Sequence, residues 1–323
     1  MLDALRFVAA AVARKDYVQD LQHFRIKDGR VTGFNGVVAL SSDIDVDLDI
    51  HPNASKMLAA IKACPGTIAL NMTPAGRLAV KSEKFKSFVE CLPQESAQFP
   101  VPEGEAVDLG ENFMPGIRAL APAMGIDASR IWAMGIKLQN QSMFATNNVM
   151  LVEYWHGTDI PLDVVIPDVC VKELLRIGEN PTRVQVNDRC ITFWFGENRW
   201  LRSQLIEPTG WPMATMEKVL SMSDGDQLAF PAGFFEAVDT LKPFLGDAGS
   251  IYLTAQTLGT SPHDGEGTSI DVPVVGVTDM QAYHHRQLTV LGEIAKTIDW
   301  TAYPHPCMFR GDRLRGALIG QRI

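Results

Sequence analysis

Apolar residues recur at helical spacing in six places along the chain, and the stretches between those places alternate. Over the first residues, Leu5, Val8, Ala9 and Val12 form one stripe at three-to-four spacing, which predicts a helix from Leu2 to Lys15. A second helix is predicted over Asn53–Ala63. Met57, Leu58 and Ile61 point inward there, Asn53 stands where an N-cap belongs, and Pro65-Gly66 ends the run. The same pair recurs as Phe113–Met124 with Asp168–Ile177, and again as Pro231–Leu245 with Gln287–Asp299. Equivalent helices lie about 110 to 120 residues apart, an ordinary domain size.

Strand patterns fill the intervals. Asp43–Ile50 alternates strictly between aspartate and aliphatic residues, the pattern of a half-buried strand with a solvated face. Reading those aspartates as a four-carboxylate metal site fails on geometry, because alternate strand residues form a row and not a cage. Further strands are predicted at 76–80, 183–186, 190–195 and 314–319. The fold class is therefore α+β: three repeated domains, each with two helices on a mainly antiparallel sheet, at 1–104, 105–222 and 223–323. Breaker-rich linkers, Phe99-Pro100-Val101-Pro102-Glu103-Gly104 and Ser221-Met222-Ser223-Asp224-Gly225-Asp226, mark the two boundaries.

Composition narrows the function classes. The net charge is −9, which argues against a basic outer surface but leaves room for a local basic channel. No apolar run reaches the roughly 18 residues of a membrane span. Asp3 and Arg6 interrupt the apolar start, so it reads as a helix and not as a signal peptide. The five cysteines are scattered and odd in number, which fits a reduced, cytoplasmic setting. No P-loop, zincin or nucleophile-elbow motif is present. His284-His285 and His305 with Cys307 are the only histidine clusters of note. Adjacent histidines diverge on a strand and prolines flank His305, so no metal and no cofactor is expected. Trp194, Trp200 and Trp211 sit where the pattern wants sheet packing, which is preferred to base stacking.

Several segments in order resemble the bacterial-type sliding clamp, the beta subunit of replicative DNA polymerase. Gly76-Arg77-Leu78-Ala79-Val80-Lys81-Ser82 through Cys91-Leu92-Pro93 to Phe99-Pro100 resembles the end of the family's first domain. Phe144-Ala145-Thr146-Asn147-Asn148-Val149-Met150-Leu151 resembles its Ala-Thr-Asp-Gly turn, and Val164-Val165-Ile166-Pro167 through Leu175 the strand and helix that follow. Ser203-Gln204-Leu205-Ile206-Glu207 to Trp211-Pro212 resembles the middle domain's close, and Ile319-Gly320-Gln321-Arg322-Ile323 the apolar-Arg tail. There are departures. Asn147-Asn148 replaces Asp-Gly, although Asn tolerates a positive φ. The first repeat starts at its helix without the family's leading strand, and Thr260–Gly267 is a polar insertion. These trims fit a phage-encoded relative.

The resemblance implies a non-enzymatic processivity factor. Two subunits would join head to tail into a six-domain ring that encircles duplex DNA and tethers DNA polymerase and clamp loader through short apolar peptides. Channel candidates are the basic residues of the predicted helices. Arg6 and Arg14 flank Ala10 on one face, and Lys172 and Arg176 share another. Lys56, Lys62, Arg118, Lys242, Arg286 and Lys296 extend the set, diluted by Glu236, Asp239 and Glu293. Thr146, Met150, Leu151, Pro212 and Ile319 match elements lining the family's peptide pocket, although Met150 and Leu151 also fit plain strand core. Two rivals stand beside this reading. One is a clamp-fold scaffold that stays monomeric; the other is a hydrolase, which would need a perturbed carboxylate pair.

Overall fold

The computed structural model describes residues 1–93, 99–206, 210–222, 225–263 and 265–323. Of the residues singled out above, Glu207, Ser223 and Asp224 of the second linker, Asp264 of the insertion and the stretch between Pro93 and Phe99 lie outside them. Helices and antiparallel sheets alternate along the chain, which is α+β throughout. The described residues contain seven α-helices: α1 Leu2–Val8, α2 Ala54–Ala63, α3 Phe113–Leu120, α4 Asp168–Ile177, α5 Met213–Leu220, α6 Phe234–Leu241 and α7 His285–Ile294. None is long and apolar enough to cross a membrane.

The chain divides into two compact units, residues 1–109 with 172–205, and residues 110–171 with 206–323. The first holds a seven-stranded sheet ordered Arg25–Lys27, Arg30–Phe34, Val38–Asp43, Arg199–Gln204, Cys190–Phe195, Arg183–Val186, Ala106–Asp108. At its centre Val38–Asp43 pairs antiparallel with Arg199–Gln204, Leu40 opposite Leu201. Leu5 and Val8 of α1 are fully buried. The helix end comes so close to Gly33 that a Cβ there would meet Val8 and Val12 at under 3 Å, which requires glycine. A four-stranded sheet in the same unit runs His51–Pro52, Phe85–Leu92, Arg77–Ser82, Ala69–Met72.

The second unit has a six-stranded sheet ordered Leu228–Ala229, Thr297–Ile298, Cys307–Gly311, Leu314–Leu318, Met150–Pro167, Gly135–Thr146. Its four-stranded sheet is ordered Ser269–Asp271, Thr257–Gly259, Ser250–Leu253, Gln281–His284. Phe113, Ile117 and Leu120 of α3 are buried completely. An aromatic cluster lies beside α6, with Phe234 against Trp300 and Trp300 against Tyr283. The Tyr283 hydroxyl donates to Gln281 Oε1 at 2.8 Å and lies 3.2 Å from Cys307 Sγ. Burial drives the Tyr283 hydroxyl far up and pushes the Cys307 thiol up to about 11, so both stay neutral core groups.

The structure corrects several expectations. Asp43–Ile50 is not a strand: the ladder ends at Asp43, and Val46 N donates to Ile44 O at 2.9 Å, which bends the backbone. The alternation still has a physical basis, because Ile44, Val46 and Ile50 are buried while Asp43, Asp45, Asp47 and Asp49 are exposed. Four helices are shorter than predicted. α1 gives way after Val8 to a 3-10 turn, Ala9–Ala11, and Val12 is extended, so Arg14 lies off the helix. α3 and α6 pass at their ends into 3-10 turns containing Pro122 and Pro243, whose missing N–H and ring bulk stop an α-helix. α6 starts only after Gly233, which is left-handed. α7 begins at His285 and ends at Ile294, leaving Lys296 beyond it. Helix α5 was not anticipated. The described residues of the polar insertion lie between the paired strands Thr257–Gly259 and Ser269–Asp271, where Thr268 N donates to Thr260 Oγ1 at 3.0 Å.

Candidate functional site

The ten basic candidates have unequal surroundings. Five are held in ion pairs. Arg6 lies 3.5 Å from Asp3, Lys56 2.7 Å from Glu90, Arg176 2.6 Å from Glu173, Lys242 2.6 Å from Asp239 and Lys296 2.5 Å from Asp312. The Lys56 ammonium, by hydrogen bond and charge, holds the Glu90 carboxyl below its usual range. Lys172 and Arg176 share one face of α4 at i, i+4, and Arg176 also donates to Phe7 O at 3.4 Å. Lys62 is exposed in the last turn of α2. Arg118 and Lys296, far apart in sequence, come together in a hollow of about 570 Å³ between Pro115 and Leu314. Glu293 and Asp312 line the same hollow, so its formal charges cancel. Exposed ion pairs of this kind contribute little to stability and exchange readily, so the attraction for phosphate is mild.

Four of the pocket candidates gather at one end of the six-stranded sheet, where a tight turn joins Gly135–Thr146 to Met150–Pro167. Asn147 Oδ1 accepts from Val149 N at 3.1 Å and Met150 N at 2.8 Å. Thr146 donates its hydroxyl to Met150 O at 2.8 Å and accepts from Asn148 N at 3.1 Å. Asn148 takes a φ of 71°, which the side chain of asparagine tolerates. Ile319 is tied to the turn by its N–H, which donates to Val149 O at 2.8 Å. Burial then separates the candidates. Thr146, Met150 and Leu151 are core, Met150 only 1% exposed, whereas Ile319 is 44% exposed. Leu151 packs with Phe144, Val165, Trp211, Met216 and Met308, and Pro212 stands at the N-terminus of α5, which supplies Met216 to that cluster.

Beside the same turn opens a cleft of about 310 Å³. Its apolar lining is Pro122, Met124, Ile126, Ala133 and Val290, and its polar lining includes Asp127, Arg130, Asn147, Asn148, Arg286 and Gln287. Arg286 thus borders this cleft. Sequence reasoning missed the 122–133 segment: its first residues, to Met124, were read as a helix end, and the rest was assigned to no element. The available signal was Pro122 and Gly125 next to Ile126, which is 85% exposed. One wall is the start of α7. His284 Nδ1 accepts from Arg286 N at 3.2 Å, capping the helix, and its ring stacks on His285 with centroids 4.6 Å apart. Gln287 keeps a buried side-chain oxygen without a donor among the described residues.

That cap is sensitive to acid. Burial first, then the charges His285 and Arg286, lower the His284 pKa. Burial, then Arg25, lowers His51, whose Nε2 lies 3.0 Å from the Arg25 guanidinium. Burial likewise lowers His156. All three bind protons less readily folded than unfolded. The unfolded chain therefore takes up more protons as the pH falls through the ordinary value of 6.5, and stability present above it is lost on acidification. The urea midpoint is expected to drop between about pH 7.5 and pH 5.5, and His284→Asn, which keeps a cap without a titrating ring, to reduce that drop. A midpoint constant over this interval would contradict the assignment.

Comparison with solved structures gives matches over the whole chain. The C. crescentus beta sliding clamp is 18% identical with a TM-score of 0.82, covering 100% of this chain and 97% of that one. The beta subunit of DNA polymerase from Streptococcus pyogenes is 16% identical with a TM-score of 0.84, at the same coverage. The Helicobacter pylori beta clamp bound to a DNA ligase peptide is 15% identical with a TM-score of 0.80, again at the same coverage. No protein-family model and no curated protein matches the chain. The chain has the fold of the bacterial beta sliding clamps.

Proposed function

We propose that the chain is a DNA sliding clamp, a non-enzymatic processivity factor of the cytoplasm. Two copies close head to tail around duplex DNA and hold DNA polymerase and clamp loader by short apolar peptides. The observation that carries this reading is the match over the full length of the chain and 97% of each neighbour. A closed ring needs little affinity per contact, which suits the mild field of ion-paired lysines and arginines, and phosphate contacts carry no sequence information, so the ring can slide. The cleft beside the 146–150 turn, together with exposed Ile319, is the peptide site in this reading. The peptide-bound H. pylori clamp lends support.

The sheet pairing supplies a geometric argument for closure. In the proposed division at 1–104, 105–222 and 223–323, each domain ends in a closing strand. The second domain's closing strand, Arg199–Gln204, pairs with Val38–Asp43 of the first. The third's, Leu314–Leu318, pairs with Met150–Pro167 of the second. Applying the operation once more sets the first domain's closing strand, Phe85–Leu92, against Ser269–Asp271 of another copy. Ser269–Asp271 is a sheet edge. Phe85–Leu92 meets His51–Pro52 only through Cys91 and Leu92, which leaves that side of Phe85–Val89 open among the described strands. Such a heterologous contact must close or run on into a filament. Light scattering over a concentration series tests closure. A limiting mass of twice the chain's 35.5 kDa is expected. A persistent monomer would leave a scaffold that cannot encircle DNA, and a mass that keeps rising would mean an open filament.

A further inference from the structure

A second recess, of about 460 Å³, opens beside a bulge in the long hairpin of the second unit. Trp155 pairs with Ser142 and Ile160 with Asn140, so the four residues 156–159 stand against Gln141 alone. A bulge interrupts the ladder and re-aims the side chains around it. Trp155 and Asp159 belong to this one, and both line the recess. Gln139, Gln141 and Asn140, which takes a φ of 51°, join the lining from the other strand. Helix α5 contributes Met213 and Glu217, four residues apart on one face.

This lining is acidic and carries an open aromatic ring. Its two charged side chains are Asp159 and Glu217, both exposed, and among the described residues neither carboxylate has a hydrogen-bond or ion-pair partner. Trp155 is 49% exposed, and its indole N–H donates to Gln141 Oε1 at 3.3 Å, which restrains the ring. Arg313, outside the lining, has its guanidinium 4.5 Å from the ring centroid, and its Nε donates to Trp155 O at 3.0 Å. The ring therefore already accepts one guanidinium. Two carboxylates against that single cation leave the recess net negative.

We propose that this recess docks an arginine from a basic surface segment of a partner protein, its guanidinium lying against Trp155 and pairing with Asp159 and Glu217. The proposal depends neither on ring closure nor on the peptide cleft. A planar guanidinium stacks on an indole and meets a carboxylate with two parallel N–H donors, a combination lysine does not offer. The free amide of Gln139 offers a further acceptor at the rim. Charge complementarity here selects the partner and its register more than it adds affinity, so the contact is weak and salt-sensitive.

The test uses the full chain labelled with fluorotryptophan and read by fluorine NMR. The chain has six tryptophans, and Trp155→Phe identifies the Trp155 resonance by its loss. The probe is a capped Ala-Arg-Ala-Arg-Ala peptide, with citrulline replacing arginine in the control. The arginine peptide is expected to shift the Trp155 resonance saturably, the citrulline peptide to bind about tenfold more weakly, and added salt to erase the difference. Asp159→Asn with Glu217→Gln is expected to abolish the shift with the urea midpoint unchanged, since both side chains are exposed. No shift of Trp155, or equal binding of the citrulline peptide, would overturn the proposal. So would a shift that survives in the double variant, or one confined to another tryptophan. Spermidine shifting Trp155 as strongly as the peptide would make the recess a general cation patch and overturn it too.

Discussion

Met150→Asp is expected to destabilise the protein by about 3–5 kcal/mol, because it puts an unpaired charge where no water can follow. Met150 is only 1% exposed and lies opposite Leu318 at the start of its strand, beside the turn. Ionised, the new carboxylate loses its hydration; protonated, it still leaves a cavity and a polar group. Ile319→Asp sits a few residues away on the same edge but is 44% exposed, so its cost is within about 0.5 kcal/mol. Urea unfolding compares the two directly. If peptide binding belongs to this face, Ile319→Asp loses it in a folded protein, whereas Met150→Asp loses it by unfolding. A Met150→Asp protein with an unchanged midpoint would mean that this side chain lies open to solvent.

Phe88→Asp is expected to have the largest effect on assembly. Phe88 is 47% exposed on the Phe85–Leu92 strand, whose edge is open at that position, and Lys86 lies 4.9 Å from its ring centroid. In the proposed closure this strand meets Ser269–Asp271 of the other copy. Asp271 ends that strand, so a carboxylate at position 88 adds like charge to a contact that has lost an aromatic ring. The dimer is expected to fall to monomers at micromolar concentration, with the unfolding midpoint of the monomer unchanged. Retention of the dimer would place the closing contact on other strands.

Much of this organisation was legible in the sequence. Buried apolar stripes such as Leu5 with Val8, or Met57 with Ile61, announced their helices, because helical periodicity survives any tertiary arrangement. Arg183–Val186 and Cys190–Phe195 were predicted with their observed bounds. Helix ends were less legible. Apolar spacing continues through Pro122 and Pro243 while the backbone turns 3-10 there, and Arg14 and Lys296 were placed on helices that stop before them. α5 was hidden behind Trp211-Pro212, which read as the close of the middle domain. The cleft was beyond sequence reading altogether. It is assembled from 122–133, 147–148 and 286–290, and no local pattern relates three segments so far apart. The turn itself was legible, since Asn147-Asn148 carries its own hydrogen-bonding and left-handed preference.

The claim that the protein encircles DNA is tested most directly by retention on a circle. Protein is concentrated from dilute solution in the presence of nicked plasmid, so that rings close around it, and is then separated by gel filtration at raised salt. Half the sample is first cut once with a restriction enzyme. A topological link is expected to keep the protein with the intact circle and to release it from the linear form, with Phe88→Asp released from both. Equal retention on circular and linear DNA would mean binding by surface contacts, and would contradict the ring.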